Sequence, residues 1–196
     1  MTDLWNGRAG GTRALVIDCE TTGLGADHRV VTFAALALVD GEPTGGHLHL
    51  VFNPGRRNDP VAASIHGWHD AILARQDPFD RHADRVHEAL GSADVVVAHN
   101  LGFDAGFLRR EFGRLGRQLA FRAAYCTMQH YRRAYPGERR ATLDACLARL
   151  GHRRRGQLHG ALEDALLAAC VFRHLALGLD VRPDFDAAAD PSNFVR

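Results

Sequence analysis

Residues 14–18 (ALVID) form a short apolar run closed by an acid, the pattern of a buried strand. VVTFAALALV (30–39) repeats that pattern at greater length, and HLHLVF (47–52) alternates as a half-exposed strand does. Glycines at 23 and 25 and the Asp40–Gly41 pair fall between these runs, so the three strands are expected to form an antiparallel meander. NPGRRNDP (53–60) reads as a loop, a helical stretch follows near 80–91, and VVVA (95–98) is a fourth buried strand.

Beyond it, Phe103, Phe107, Leu108, Phe112 and Leu115 recur at helical spacing. AYCTM (124–128) reads as a short strand, and Thr142 as the cap of a helix over 143–150. The last strong element, GALEDALLAACVFRHLAL, is apolar almost all round and is therefore a buried helix. A meander followed by strands alternating with helices predicts the α/β class, a mixed sheet flanked by helices. One domain is expected over 13–177, with extensions at 1–12 and 178–196, the second rich in Asp and Pro and loosely ordered.

Composition narrows the picture little. The 196 residues suffice for one domain with a substantial core, and hydrophobic residues make up 46%. No run approaches the ~20 apolar residues of a membrane span. The opening MTDLWNGRAGGTR lacks the apolar stretch of a signal peptide, which points to a cytoplasmic location. Cys19, Cys126, Cys146 and Cys170 are widely spaced among apolar neighbours, as reduced core thiols are. A net charge of +1 advertises no nucleic-acid partner. The basic residues are all arginine, which suits phosphate contacts but equally follows from a proteome-wide bias.

Chemistry is concentrated in three segments. Asp18 and Glu20, in VIDCETTGL, are two apart and so share one face of a strand. Two carboxylates on one face at the end of a buried strand are costly unless a cation binds there, and hard oxygen ligands suit Mg²⁺ or Mn²⁺. A polar strand end fraying into the following loop accounts for them equally well. Asp104, in VVVAHNLGFD, falls in the first turn of a helix, where the helix dipole alone explains an acid. Its place beyond the carboxyl end of a strand is where α/β sheets put their sites.

Asp164 is more telling, because its helical neighbours Gly160, Ala161, Leu167 and Ala168 make a small apolar face on which an acid needs a partner. Glu163 reads as solvent-facing. His159, five residues earlier, is ~140° away around a helix. It is therefore expected just outside the helix, on a loop loosened by Gly156 and Gly160, where a general base near metals would sit. By itself it is one of twelve histidines and needs no special role. His66 and His69 have HxxH spacing without an evident third ligand, which speaks against zinc. The Arg153–Arg154–Arg155 run reads as a solvated loop, with a substrate-phosphate contact as the other reading. No phosphate-binding glycine loop of the GxxxxGK type is present.

Together these residues resemble the DEDDh branch of the 3′–5′ exonucleases, a superfamily that includes the epsilon-type proofreading subunits of bacterial DNA polymerase III. VIDCETTGL is similar to the first motif of that family, AHNLGFDAGFL to the second and HGALEDA, with its H-x4-D spacing, to the third. IHGWHD (65–70) and TLDACLARLG are similar to secondary signatures. The resemblance covers 13–177 and implies a ribonuclease H-like fold with two divalent ions, Mg²⁺ or Mn²⁺. It implies that Asp18, Glu20, Asp104 and Asp164 hold the ions and that His159 takes the proton of the attacking water. Thr21, Leu24 and His66 match positions that lie against the terminal nucleotide in relatives, and Asn100 and Phe103 would order the second motif.

Two departures stand out: Thr32 sits where many relatives carry a glutamate, and DVRPDFDAAADPSNFVR contains no glutamine-led clamp-binding segment. The second favours a stand-alone exonuclease over a dedicated polymerase subunit. The expected activity is removal of nucleoside monophosphates from the 3′ ends of single-stranded DNA. A 3′–5′ exoribonuclease of the same superfamily is the alternative, disfavoured because CETTGL lacks the methionine of the oligoribonuclease first motif. A catalytically silent nucleic-acid-binding module is a further rival, which the filling of all five core positions opposes.

Overall fold

The computed structural model describes residues 4–7, 10–154 and 159–179. A five-stranded sheet runs in the order β3-β2-β1-β4-β5. Its strands are β1 (Arg13–Thr21), β2 (Val30–Val39), β3 (Glu42–Val51), β4 (Val95–Ala98) and β5 (Ala124–Cys126). The first three pair antiparallel, and β1–β4 and β4–β5 pair parallel, so the sheet is mixed as expected. Asp40 (φ 51°) and Gly41 (φ 81°) turn β2 into β3, the left-handed pair that matches the twist of a tight hairpin.

Alternation along β1 divides the core. Leu15, Ile17 and Cys19 face one cluster, with Val86 and Leu90 of α3 (Phe79–Gly91) and Leu108 and Phe112 of α4 (Leu101–Arg114). Ala14 and Val16 face the other, with Cys146 and Leu147 of α6 (Leu143–Arg149) and Ala168, Val171 and Phe172 of α7 (Ala161–Leu177). Period two carries the second face on to Asp18 and Glu20. The strand acids therefore lie on the α7 side of the sheet.

Several expectations are corrected. β1 runs three residues past Asp18, because its pairing with β2 continues through Glu20↔Thr32 before the register slips. β3 begins at Glu42, despite Pro43 and two glycines, since the Asp40–Gly41 turn starts the pairing at once. Gly46 is required there: a Cβ would collide with the Leu4 backbone. Leu4 and Trp5, assigned by sequence to an extension, are buried in the core. Thr127 and Met128 open the helix α5 (Thr127–Ala134) rather than ending a strand. Two short helices, α1 (Pro60–His66) and α2 (Asp70–Leu73), have too few turns for a periodic signal. Thr142 does cap α6, accepting from the Ala145 N–H at 3.3 Å. All four cysteines are buried. Among the described residues no helix is long and apolar enough to cross a membrane. The expectations for Arg155, Gly156 and the tail from 180 onward lie outside the described residues.

Candidate active site

α7 begins directly over the carboxyl end of β1. Its first turns lie close because the contact is made mostly of alanines: Ala161 and Ala165, with Leu162, pack on Ala34, which pairs with Asp18. The approach brings Asp164 to the strand acids, and carboxylate oxygens of Asp18, Glu20 and Asp164 all lie within 4.8 Å of one another. No other such group of three His, Cys, Asp or Glu occurs among the described residues, so His66 and His69 acquire no third ligand.

Asp104 arrives from the opposite layer. Its Oδ1 accepts the backbone N–H of Cys19, the residue between the two strand acids, at 2.9 Å. The turn that delivers it depends on Asn100, whose left-handed backbone (φ 63°) is one that asparagine tolerates well. The Asn100 carbonyl then accepts from Phe103 N–H at 2.8 Å, and the Phe103 ring packs on Phe107. Missed in the sequence was His99 beside it, which joins this turn to α5 and α6. Its Nε2 donates to the Ala141 carbonyl at 2.8 Å and its Nδ1 meets the Thr127 hydroxyl at 2.9 Å. Burial lowers the His99 pKa, in keeping with a neutral ring.

Burial dominates the electrostatics, with the crowding of like charges behind it. Burial, then the charges of Asp104, Asp164 and Glu20, push Asp18 well above the usual carboxylate range. Burial and Asp164 raise Glu20 to about 7, and burial raises Asp104 to about 8 against the pull of the Cys19 hydrogen bond. These carboxyls retain protons near neutral pH unless a positive charge joins them. An all-oxygen donor set of this kind fits hard divalent cations.

His159 stands outside α7, as its spacing from Asp164 requires. Its N–H donates to the Ile65 carbonyl at 2.9 Å, so α1 fixes its position rather than leaving it mobile. Its Nδ1 lies 3.2 Å from Asp164 Oδ2, and this bond raises the imidazole pKa. Arg154 is the largest surprise. It is not solvated: its side chain is 8% exposed, with Nε on Asp144 at 3.3 Å and Nη1 on Asp164 Oδ1. Glu163, expected in solvent, is only 16% exposed and lies 3.8 Å from the same Nη1.

The exonuclease family model matches residues 15–172 of the chain. The epsilon subunit of DNA polymerase III from Escherichia coli (strain K12) is 35% identical over 173 residues, 82% of this chain and 70% of that protein. Its counterpart from Pasteurella multocida (strain Pm70) is 35% identical over 171 residues, 82% and 67% of the two chains. The chain belongs to the exonuclease family. The nuclease domain of 3′hExo, a DEDDh family member solved bound to rAMP, shares the fold with a TM-score of 0.73 at 17% identity. That likeness covers 89% of this exonuclease and 96% of the other domain.

The remaining expected residues of this exonuclease cluster around the loop after β1. Thr21 is buried, its hydroxyl donating to the Gly23 carbonyl at 2.9 Å, whereas Leu24 is 83% exposed. Thr22 holds the loop's two ends, taking the Arg29 N–H on its hydroxyl and the Asp59 N–H on its carbonyl. His66 is buried, which lowers its pKa, and its Nδ1 accepts the Trp68 N–H at 3.0 Å. Thr32, the departure on β2, accepts the Glu20 N–H on its hydroxyl at 3.3 Å.

Proposed function

We propose that this exonuclease hydrolyses the terminal phosphodiester bond at 3′ ends of single-stranded DNA, releasing nucleoside monophosphates. The observation that carries the reading is the meeting of Asp18, Glu20 and Asp164 within 4.8 Å, with His159 Nδ1 on Asp164. Asp18, Glu20 and Asp164, with Asp104 beside them, would hold two divalent ions, Mg²⁺ or Mn²⁺. When bound, such a pair stabilises the attacking and leaving oxygens of an in-line displacement.

The chain's own groups do the rest. Asp164 accepts the Nδ1 proton of His159 and so leaves Nε2 as the basic nitrogen. His159 takes the proton of the attacking water; the new P–O bond forms as the bond to the departing 3′ oxygen breaks. Leu24, exposed on an anchored loop, would lie against the terminal nucleotide, as would the buried Thr21 and His66. The preference for DNA is supported by the 35% identity to polymerase-associated relatives.

Matched DNA and RNA oligonucleotides, single- and double-stranded and labelled at either end, digested with Mg²⁺ and then Mn²⁺, test the reading. Mononucleotides should leave the 3′ end of single-stranded DNA fastest. Faster degradation of RNA, or release from the 5′ end, would overturn it.

A further inference from the structure

Arg154 occupies a position in conflict with the chemistry of its neighbours. Its guanidinium is bonded through Nη1 to Asp164 Oδ1, while Asp164 Oδ2 faces His159. Both oxygens of this carboxylate are thus engaged, one of them by a fixed positive charge. A divalent ion using Asp164 meets that charge at hydrogen-bonding range of its own ligand, and like charges in a partly buried site repel strongly. The guanidinium must give up Nη1–Oδ1 when the ion arrives.

It has somewhere to stay. Nε remains tethered to Asp144 at 3.3 Å, in the first turn of α6, so a small swing about this anchor keeps the group at the rim of the site. Nη2 is buried and has no hydrogen-bond partner among the described residues. An unpaired buried donor on a charged group is costly. Once Nη1, which also lies 3.8 Å from Glu163, is released from Asp164, Nη1 and Nη2 present a planar fork, which matches two oxygens of a phosphate.

We propose that Arg154 is a substrate-binding residue: it neutralises Asp164 until divalent ions take that carboxylate, then grips a phosphate of the nucleic acid. The proposal rests on the metal-dependent reading above. It adds a residue that the five acidic and histidine positions do not include, and it assigns the swing to the arginine rather than to the backbone.

Calorimetric titration of the intact chain with Mn²⁺, without nucleic acid, tests the first half. Arg154→Gln should bind Mn²⁺ about tenfold more tightly than wild type, because a competitor has been removed; equal or weaker binding overturns the proposal. Titration of the Mn²⁺-saturated proteins with thymidine 5′-monophosphate tests the second half, with a loss of about tenfold or more expected in Arg154→Gln. Undiminished nucleotide binding overturns it. Should Arg154→Gln fail to fold, Arg154→Lys keeps the charge without the fork: weaker nucleotide binding at unchanged Mn²⁺ affinity is expected, and equal nucleotide binding refutes the grip. A wild-type protein that takes up no Mn²⁺ overturns the metal reading itself, and this inference with it.

Discussion

Asp104 accepts the Cys19 backbone N–H at 2.9 Å, so an acid carried by α4 is fixed to the strand residue lying between Asp18 and Glu20. One bond thereby ties the α4 layer to the strand end that Asp164 of α7 meets from the other side. The bond and the charge of Asp104 have separate consequences. Asp104→Asn keeps an oxygen acceptor for Cys19 but removes the charge. It should fold normally and bind Mn²⁺ at least tenfold more weakly in a calorimetric titration. Asp104→Ala also strands a buried N–H, and should lose a further 1–3 kcal/mol of stability, about the cost of an unsatisfied donor. Equal stability of the two variants in urea melts would deny the hydrogen bond its structural part.

The raised carboxyls predict a pH dependence with a definite sign. Folded Glu20 and Asp104 titrate at about 7 and about 8, whereas unfolded carboxyls titrate near their ordinary values. Between pH ~4 and ~8 the folded state therefore holds more protons than the unfolded one, so stability falls as pH rises through that window. Each excess proton steepens the fall by about 1.4 kcal/mol per pH unit. In EDTA the Tm should drop steadily from pH 5 to pH 8, and Asp104→Asn should flatten the slope. Mn²⁺ should abolish the drop, since an ion favours the deprotonated carboxylates. Buried His99 acts in the opposite sense at lower pH, because its depressed pKa costs stability as pH falls below 6.5. Comparison of wild type with the Asn variant removes that contribution. A chelated protein whose Tm rises toward pH 8 would contradict the burial of these carboxyls beside one another.

Much of this site was legible because it follows from periodicity. Asp18 and Glu20 share a face by the two-residue period of a strand, and Asp164 is anomalous on a helix face of alanines. His159 was placed off the helix by a 100° rotation per residue alone. Arg154 was not legible, because a run of three arginines looks the same in solvent as against an acid ten residues away. Only the path of the chain between α6 and α7 decides it. The same holds for Leu4 and Gly46: a glycine in a strand signals close approach, but not by what. Helix α1 gives no periodic signal because Pro60–His66 is just seven residues, fewer than two turns.

His159 separates proton transfer from ion binding. Its backbone N–H holds Ile65 and its ring holds Asp164, so truncation of the ring removes the base and leaves the loop's main-chain anchor. His159→Ala should lower kcat by roughly 10²–10⁴-fold, the usual contribution of a general base. Mn²⁺ affinity should stay within about threefold of wild type, because the four carboxylates are untouched. At saturating Mn²⁺, which keeps the carboxylates deprotonated, the acidic limb of the pH–rate profile should vanish in the variant, since the imidazole is then the group protonated there. An unchanged kcat removes the histidine from the mechanism; a collapse of Mn²⁺ affinity instead makes it a support for Asp164.

The spacing of α7 from the sheet is set by methyl groups, and this places a catalytic requirement in the core. Ala165 is fully buried against Ala34, one residue along the helix from Asp164 and across the ladder from Asp18. Ala165→Leu adds three carbons where no space exists, and the helix must lift from the strand to admit them. The cost should be about 1–3 kcal/mol in urea unfolding, typical of overpacking. Lifting α7 also carries Asp164 away from Asp18 and Glu20, so Mn²⁺ affinity and exonuclease rate should fall together by tenfold or more. Ala165→Gly separates the two effects: it destabilises the helix by about 1 kcal/mol but demands no extra room. That variant should keep near-normal Mn²⁺ affinity when assayed well below its Tm. If both variants lose the ion equally, helix stability rather than helix height governs the site.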